Sequence, residues 1–250
     1  VTAPEKIYAA LAASGALKGL TWKIRVSQRR TLGLTIERDA SVTVAVPPTV
    51  DPEMVAAFIR NRRPWLLKKS AQRAATLAAH PIKRIVSGEN YPYLGRHQRL
   101  LVVSEQDVPI QLEGNWLRLR RMAPEAGAQA IVGWYRDQGR QWLTPRLDRW
   151  TGRLGIVQPA VDVRDLGQRW GLLDRTSGLA FHWALLQLDP SLVDYVIVHE
   201  LAHYDGHHHG PEFWERVECI LPDFAARKSR LAELGRTVWL GDVSEPTHAG

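Results

Sequence analysis

The segment Leu192-Val193-Asp194-Tyr195-Val196-Ile197-Val198-His199-Glu200-Leu201-Ala202-His203-Tyr204-Asp205-Gly206-His207-His208-His209-Gly210-Pro211 decides how the chain is read. Its first half is apolar on nearly every side, as a helix buried in a core must be. Asp189 or Ser191 can cap that helix and Pro190 suits its first turn, which predicts a helix over 190–206. On it His199 and His203 are four residues apart and share a face, so both imidazoles can reach one ion at ~2.0–2.1 Å. Glu200 is one helical step round from His199. Its carboxylate is thereby set beside the ion, suited to holding a water and not to filling the ligand shell. Val196-Ile197-Val198 alone would suit a strand, so the helix rests partly on the His-Glu-x-x-His pattern itself.

After His203 the chain must turn back to deliver a third ligand. Gly206 is placed to end the helix in a left-handed conformation, and Gly210-Pro211 opens the next helix, expected over 211–221. His207, His208 and His209 lie between, and spacing leaves all three open as the third ligand, His209 being nearest the fixed end of the next helix. Three neutral imidazoles favour one Zn2+ ion, with a tetrahedral position left for water. Zinc brings the pKa of water from about 15.7 toward ~7, within reach of Glu200 as general base. A closed, purely structural site would need a fourth protein ligand. Cys219 is the candidate, but it lies beside the Val217, Ile220 and Leu221 stripe, where it is expected to pack.

The remainder of the chain is ordinary in composition. Of its 250 residues 45% are hydrophobic and 24% charged, which excludes collagen-like and disordered classes. A single cysteine permits no internal disulfide, and no apolar run reaches the ~18–20 residues that span a bilayer. A soluble cytoplasmic protein with no membrane partner is expected. Residues 7–17 are Ala-rich, yet Glu5 beside Lys6 and the Ser14-Gly15 break argue against a signal peptide. Residues 1–20 are read as a surface helix or loose tail. Charge is uneven: residues 1–125 carry 20 Lys and Arg against 10 Asp and Glu, and residues 126–250 carry 13 against 16. The basic half suits an anionic partner, nucleic acid or a nucleotide phosphate, although solvated arginines on sheet and helix surfaces give the same count.

Periodicity gives an α+β class, an antiparallel β-rich N-terminal part with one helix followed by a helical part with a short sheet. Strands are expected at 22–26, 32–37 and 41–46, then a helix from Asp51-Pro52-Glu53 to about Ala79 burying Val55, Phe58, Ile59, Trp65 and Leu66. Pro64 should kink or split it. Strand-like pairs return over 91–120, including Tyr91–Leu94 and Trp116–Leu119. A helix from Pro124 to about Arg153 presents Ile131, Trp134, Tyr135, Trp142, Leu143 and Leu147, and strands follow near 161–163, 169–172 and 179–182. Two parts follow from this: a basic β-rich subdomain, 1–122, and a catalytic subdomain, 123–250.

Arg169-Trp170-Gly171, Phe181-His182-Trp183, the run from Asp194 to His203 and His208-His209-Gly210-Pro211-Glu212-Phe213-Trp214 together resemble the YgjP-like metal-dependent hydrolases, relatives of the SprT-like zinc peptidases. Upstream, Arg29 to Ile36, Val46-Pro47, Arg62 to Lys69 and Tyr93-Leu94-Gly95-Arg96 resemble further landmarks, so the likeness spans about residues 22–225. It implies a zincin-like second part and, by matching the family's Asn-His-Ser triplet to His208-His209-Gly210, makes His209 the third zinc ligand. It also implies a metallopeptidase. A UTP pyrophosphatase is the alternative, because one family member is regarded as such, and Arg29, Arg30, Arg62, Arg63 and Arg169 are then the phosphate clamps to test. A zinc-dependent nucleic-acid-binding module without turnover is the third reading. Arg169 and Tyr204 are candidate substrate contacts, with Tyr204 or His182 as a transition-state donor. The chain departs from the family at Leu172-Leu173, where Ser-Cys is common. The motif also fits the metzincins, but these need a methionine turn after it, and Met54 and Met122 both lie upstream.

Overall fold

The first fifty residues form three short strands, β1 (Trp22–Val26), β2 (Gly33–Ile36) and β3 (Val42–Val46), with β3 in the middle and buried along its whole length. The computed structural model describes residues 3–37, 40–77, 80–174, 178–204 and 209–244. It divides the chain into two units, 1–79 and 80–250. In the first, α1 (Ala3–Ser14) and α2 (Pro52–Leu77) cover the sheet. Ile7 and Leu11 of α1 join Val55, Ile59 and Leu66 of α2 and Val42, Val44 and Val46 of β3 in one core. The N-terminal stretch is thus a docked helix and not a loose tail. Asp51 opens α2 by accepting from the Glu53 N–H at 3.1 Å, with Pro52 at the first position.

Several expectations need correction here. The sheet is mixed: β2 runs antiparallel to β3, but β1 runs parallel to it. Pro64 does not split α2, which is continuous through it. It lies on the exposed side, where the carbonyl it deprives of a partner can meet water. For the same reason Trp65 is not core; it is 46% exposed.

The second unit repeats the strand order twice. In β4 (Arg99–Val103), β5 (Ile110–Glu113) and β6 (Trp116–Arg120) the third strand is central, parallel to the first and antiparallel to the second. The same holds for β7 (Val161–Arg164), β8 (Gly171–Asp174) and β9 (Gly178–His182), which leaves β8 on an edge. Between these sheets runs α3 (Pro124–Leu154), burying Ile131, Tyr135, Leu143 and Leu147. After a 3-10 turn over Trp183–Gln187 come α4 (Pro190–Ala202), α5 (Pro211–Ile220) and α6 (Phe224–Leu234), the last not expected from the sequence. Leu100, Leu117 and Leu119 share one core with α3, α4 and β9. The two compact units meet at 79/80, and the β4–β6 sheet, which lies on the N-terminal side of the 122/123 boundary read from the sequence, packs with the helices that follow it. Tyr91–Leu94 is not a strand but the approach to a turn closed by the Tyr93 N–H donating to Arg96 O at 2.8 Å. Gly95 in that turn has φ +75°, and a Cβ there would lie 3.2 Å from Asp189 Cα. Among the described residues no helix is long and apolar enough to cross a membrane.

The helix that matters most, α4, is fixed at its first residue and again one turn on. Asp189 caps it, accepting from the Ser191 N–H at 2.9 Å and from its hydroxyl at 2.6 Å. Those two bonds hold the Asp189 carboxyl below the usual carboxylate range. One turn on, buried Asp194 takes two bonds from Arg146, Nε to Oδ1 and Nη2 to Oδ2, both 2.6 Å, and one from Trp150 Nε1 at 2.9 Å. This locks α4 to α3. Removing the carboxylate strands a buried indole N–H and a half-buried guanidinium, so Asp194→Ala is expected to cost about 3 kcal/mol, less than the fully buried limit. Urea unfolding checks this, and a loss under about 0.5 kcal/mol, the range of an ordinary surface change, would refute it.

Candidate metal centre

Because α4 is apolar around nearly its whole circumference, its last turn is the first place where polar side chains can reach a cavity. His199 and Glu200 occupy that turn, and His203 is the C-cap residue, its N–H donating to Glu200 O at 3.1 Å. The helix therefore ends earlier than 206. Gly206, His207 and His208, read from the sequence as the helix-ending glycine and as possible ligands, lie outside the described residues. His209 immediately precedes Gly210, the N-cap of α5. It returns its ring to α4: His209 Nε2 is 3.1 Å from His199 Nε2 and 3.2 Å from His203 Nε2.

Three Nε2 atoms meeting at one point are a poor hydrogen-bonding arrangement, since each neutral ring carries only one N–H. They are a good ligand set. Atoms bound to a tetrahedral ion at ~2.0–2.1 Å lie about 3.3 Å apart, close to what is seen. His199, His203 and His209 are accordingly a group that could hold a metal ion. Cys219 is exposed on α5, neither in the apolar stripe nor part of that group.

The support for these rings was only partly visible in the sequence. Phe213 and Trp214, at the start of α5, form an aromatic floor: Phe213 lies 5.0, 4.5 and 4.9 Å from the His199, His203 and His209 ring centroids. Trp214 stacks on His209 at 5.8 Å and on Phe224 of α6 at 5.5 Å, with the Lys228 ammonium 4.0 Å above it. Burial pushes His199 down to about 4, helped by the neighbouring His203 and His209 and by Lys228, so this ring is neutral and its lone pair available.

Glu200 sits on the other wall of the same cleft, which has a volume of about 500 Å³. Burial raises its carboxyl to about 7, against the lowering effect of the Leu173 N–H, which donates to Oε2 at 3.2 Å, and of Arg169. Trp170, then Gly171, Leu172 and Leu173 of the β8 edge, with Val196 and Leu231, give the cleft an apolar lining. Arg169 lines it too; Tyr204 does not, and is 41% exposed in the turn after α4. His182 is buried away from the cleft, its Nδ1 accepting from the Ala184 N–H at 3.1 Å. Arg29, Arg30, Arg62 and Arg63 belong to the first unit. The residue that the sequence reading missed is Tyr195. Read there as one more apolar position, it lies four residues before His199, lines the cleft, and is raised to about 12 by burial and the Glu200 charge. Its helical spacing from His199 was the available signal.

A family model described as YgjP-like, metallopeptidase domain, matches residues 30–234. The chain belongs to this family. Membership makes it a metallopeptidase-type hydrolase domain whose chemistry calls for a metal, in keeping with the three converging imidazoles. Among solved structures, the chain is similar to the metallopeptidase zymogen abylysin of Pyrococcus abyssi, at 26% identity over 36% of this chain and 93% of that one, with a TM-score of 0.33. No curated protein matches the chain.

If the imidazoles are ligands, a divalent transition metal at 100 times its Kd should raise unfolding stability by about 2.7 kcal/mol. His203→Ala should abolish that rise while the apo protein unfolds nearly as the parent does. Equal stabilisation of parent and variant would exclude the triad as the binding site.

Proposed function

We propose that the chain is a zinc-dependent peptidase, in which His199, His203 and His209 hold one ion and Glu200 is the general base. The observation that carries the peptide reading is the edge strand β8, whose Gly171–Leu173 segment walls the cleft beside Glu200. Beyond the Leu173 N–H, which Glu200 takes, a strand edge at a cleft wall offers an extended chain the remaining backbone groups of that edge, a pairing suited to a peptide and not to a nucleotide. Three neutral nitrogen ligands suit zinc among the common divalent ions. A bound zinc ion would supply Lewis acidity at the cleft and acidify water.

The protein's own groups would then divide the work. Glu200 takes a proton from water at its carboxylate and passes it to the leaving amine nitrogen. A carboxyl raised to about 7 is suited to both transfers near neutrality. Tyr195, buried with a hydroxyl that stays protonated, is a donor toward the developing oxyanion. Arg169 orients the substrate through a carbonyl or carboxylate at the cleft wall. Tyr204 is assigned no role. The apolar walls exclude water that would otherwise screen these interactions.

A phosphoanhydride substrate would need several converging cations, and Arg169 is the one Lys or Arg among the described residues lining the cleft. Glu200→Gln separates the outcomes. With zinc-loaded full chain, hydrolysis of denatured casein should fall ~100- to 10,000-fold while zinc stays bound. Release of pyrophosphate from UTP by the parent and not by the variant would instead establish the pyrophosphatase reading. Indifference of both assays to the substitution would leave a binding module.

We also propose a polyanionic partner for the first unit. Residues 1–79 carry 13 Lys and Arg against 5 Asp and Glu. On α2, exposed Arg60, Arg62, Lys68 and Lys69 flank Trp65, itself exposed, a combination that suits phosphates with a base stacked between them. Binding of a fluorescent single-stranded oligonucleotide should weaken at least tenfold between 50 and 200 mM salt, as ~4 or more phosphate contacts require. Lys68→Glu with Lys69→Glu should lower the salt slope by about 2. Salt-independent binding, or none at 50 mM, would remove this proposal.

A further inference from the structure

The place of the Glu200 side chain at the cleft is set by β8. A Cβ built on Gly171 would lie 2.5 Å from Glu200 Cγ, 2.8 Å from Oε1 and 2.9 Å from Cδ. Carbons of separate residues do not approach so closely, so the Glu200 side chain occupies the space that any other residue at position 171 would fill. Two residues on, the Leu173 N–H donates to Glu200 Oε2. The register explains the pairing of these two contacts. Gly171 and Leu173 are alternate residues of β8, so a side chain at either would rise from the same face of the strand, and Glu200, lying over Gly171 on that face, reaches the outward Leu173 N–H from there. One supplies a hole, the other a hydrogen-bond donor.

We propose that Gly171 is a positioning residue for the general base: its missing side chain, with the Leu173 amide, forms a cradle on the β8 edge that fixes the Glu200 carboxylate at the cleft. This rests on the reading of Glu200 as the base. The contact is one-sided in a useful way. Gly171 is not among the residues with positive φ, so alanine can adopt its backbone conformation without strain. The atoms it would strike are the outer half of one flexible side chain and not backbone. The fold therefore accommodates Gly171→Ala and Glu200 is what moves. A structural role for the glycine would give the opposite pattern, lost stability with an undisturbed Glu200.

The test compares the parent, Gly171→Ala, Glu200→Ala and the double variant as full-length chains. With zinc and fluorescein-labelled casein, kcat of Gly171→Ala should fall ~10- to 100-fold, the effect of a displacement of about 1 Å. Zinc affinity, measured by competition with a chromophoric chelator, should stay within twofold, and the apo Tm within about 2 °C. Independently of turnover, exchange of the Leu173 amide in the apo protein should quicken at least tenfold in Gly171→Ala and by the same factor in Glu200→Ala. The double variant should show no further increase, because both changes break one hydrogen bond. Unchanged Leu173 exchange in Gly171→Ala, or factors that multiply in the double variant, would overturn the proposal, as would zinc affinity falling in step with kcat. If the parent leaves casein intact, the peptidase reading fails and the exchange measurement alone decides the cradle.

Discussion

Three imidazole nitrogens within 4.8 Å of one another, that of His209 3.1 and 3.2 Å from the other two, cannot satisfy one another, and most of the second unit can be understood as the means of keeping them together. Two come from the last turn of α4 and its C-cap, four residues apart and both with helical backbone angles, so their relation is guaranteed by helix geometry as long as α4 stays a helix. The third comes from a different segment and has no such guarantee. Its position depends on the start of α5, where Gly210 and Pro211 fix the backbone just after His209 and Phe213 places one ring against all three imidazoles. The Asp194 carboxylate serves the same end from behind. A helix apolar on every side could rotate or slide in its core at little cost, whereas a bidentate Arg146 contact with a Trp150 bond admits one rotation and one depth. That choice also sets which way His199 and Glu200, five and six residues on, must face.

How much of this was legible in sequence depended on the range of the interaction. The elements with a strong local period came through: α3, the core of α4, the strands of the first sheet. The pairing of those strands did not, because alternation marks a strand without saying which neighbour it takes. In all three sheets the last strand inserts between the first two, an outcome decided by packing and invisible to periodicity. Trp65 failed for a related reason. Helical spacing placed it near the buried stripe, but Pro64 had to face solvent for its unsatisfied carbonyl, and its neighbour was turned outward with it. The position of β4–β6 with the second unit depended likewise on Leu100, Leu117 and Leu119 reaching α3, contacts that no window of sequence contains.

The candidate site divides along the same line. His199, Glu200 and His203 are legible because one helix carries them, and His209 because its distance from the helix is short and resemblance named it. The groups that tune the site are absent from any such reading. Leu173 contributes a backbone N–H, which has no residue identity to recognise, and it acts on a side chain 27 positions away. Tyr195 was in plain view, but a tyrosine amid valines and isoleucines looks like core until a cavity is known to open beside it. Tyr204, adjacent to the motif and chemically equipped, was the natural guess; the turn after α4 points it elsewhere.

One physical cause, exclusion of water by Trp170, Leu172, Leu173, Val196 and Leu231, acts on the two kinds of group in opposite directions. It disfavours a charged imidazole and a charged carboxylate alike. His199 is thereby pushed down to about 4 and Glu200 up to about 7. For a ligand the shift is an advantage, since a neutral ring is what a metal binds and no proton must leave first. For a base it is an advantage of another sort, since a carboxylate near its unperturbed value would be too weak to accept a proton from water at useful rates. An apolar cleft prepares both without any further device, yet it would also leave the Glu200 carboxyl free to neutralise itself entirely. The Leu173 N–H and the Arg169 charge oppose that drift. The balance point near neutrality is then a property of the walls and of one strand edge together, and a change to either should shift the Glu200 carboxyl without touching any of the three imidazoles.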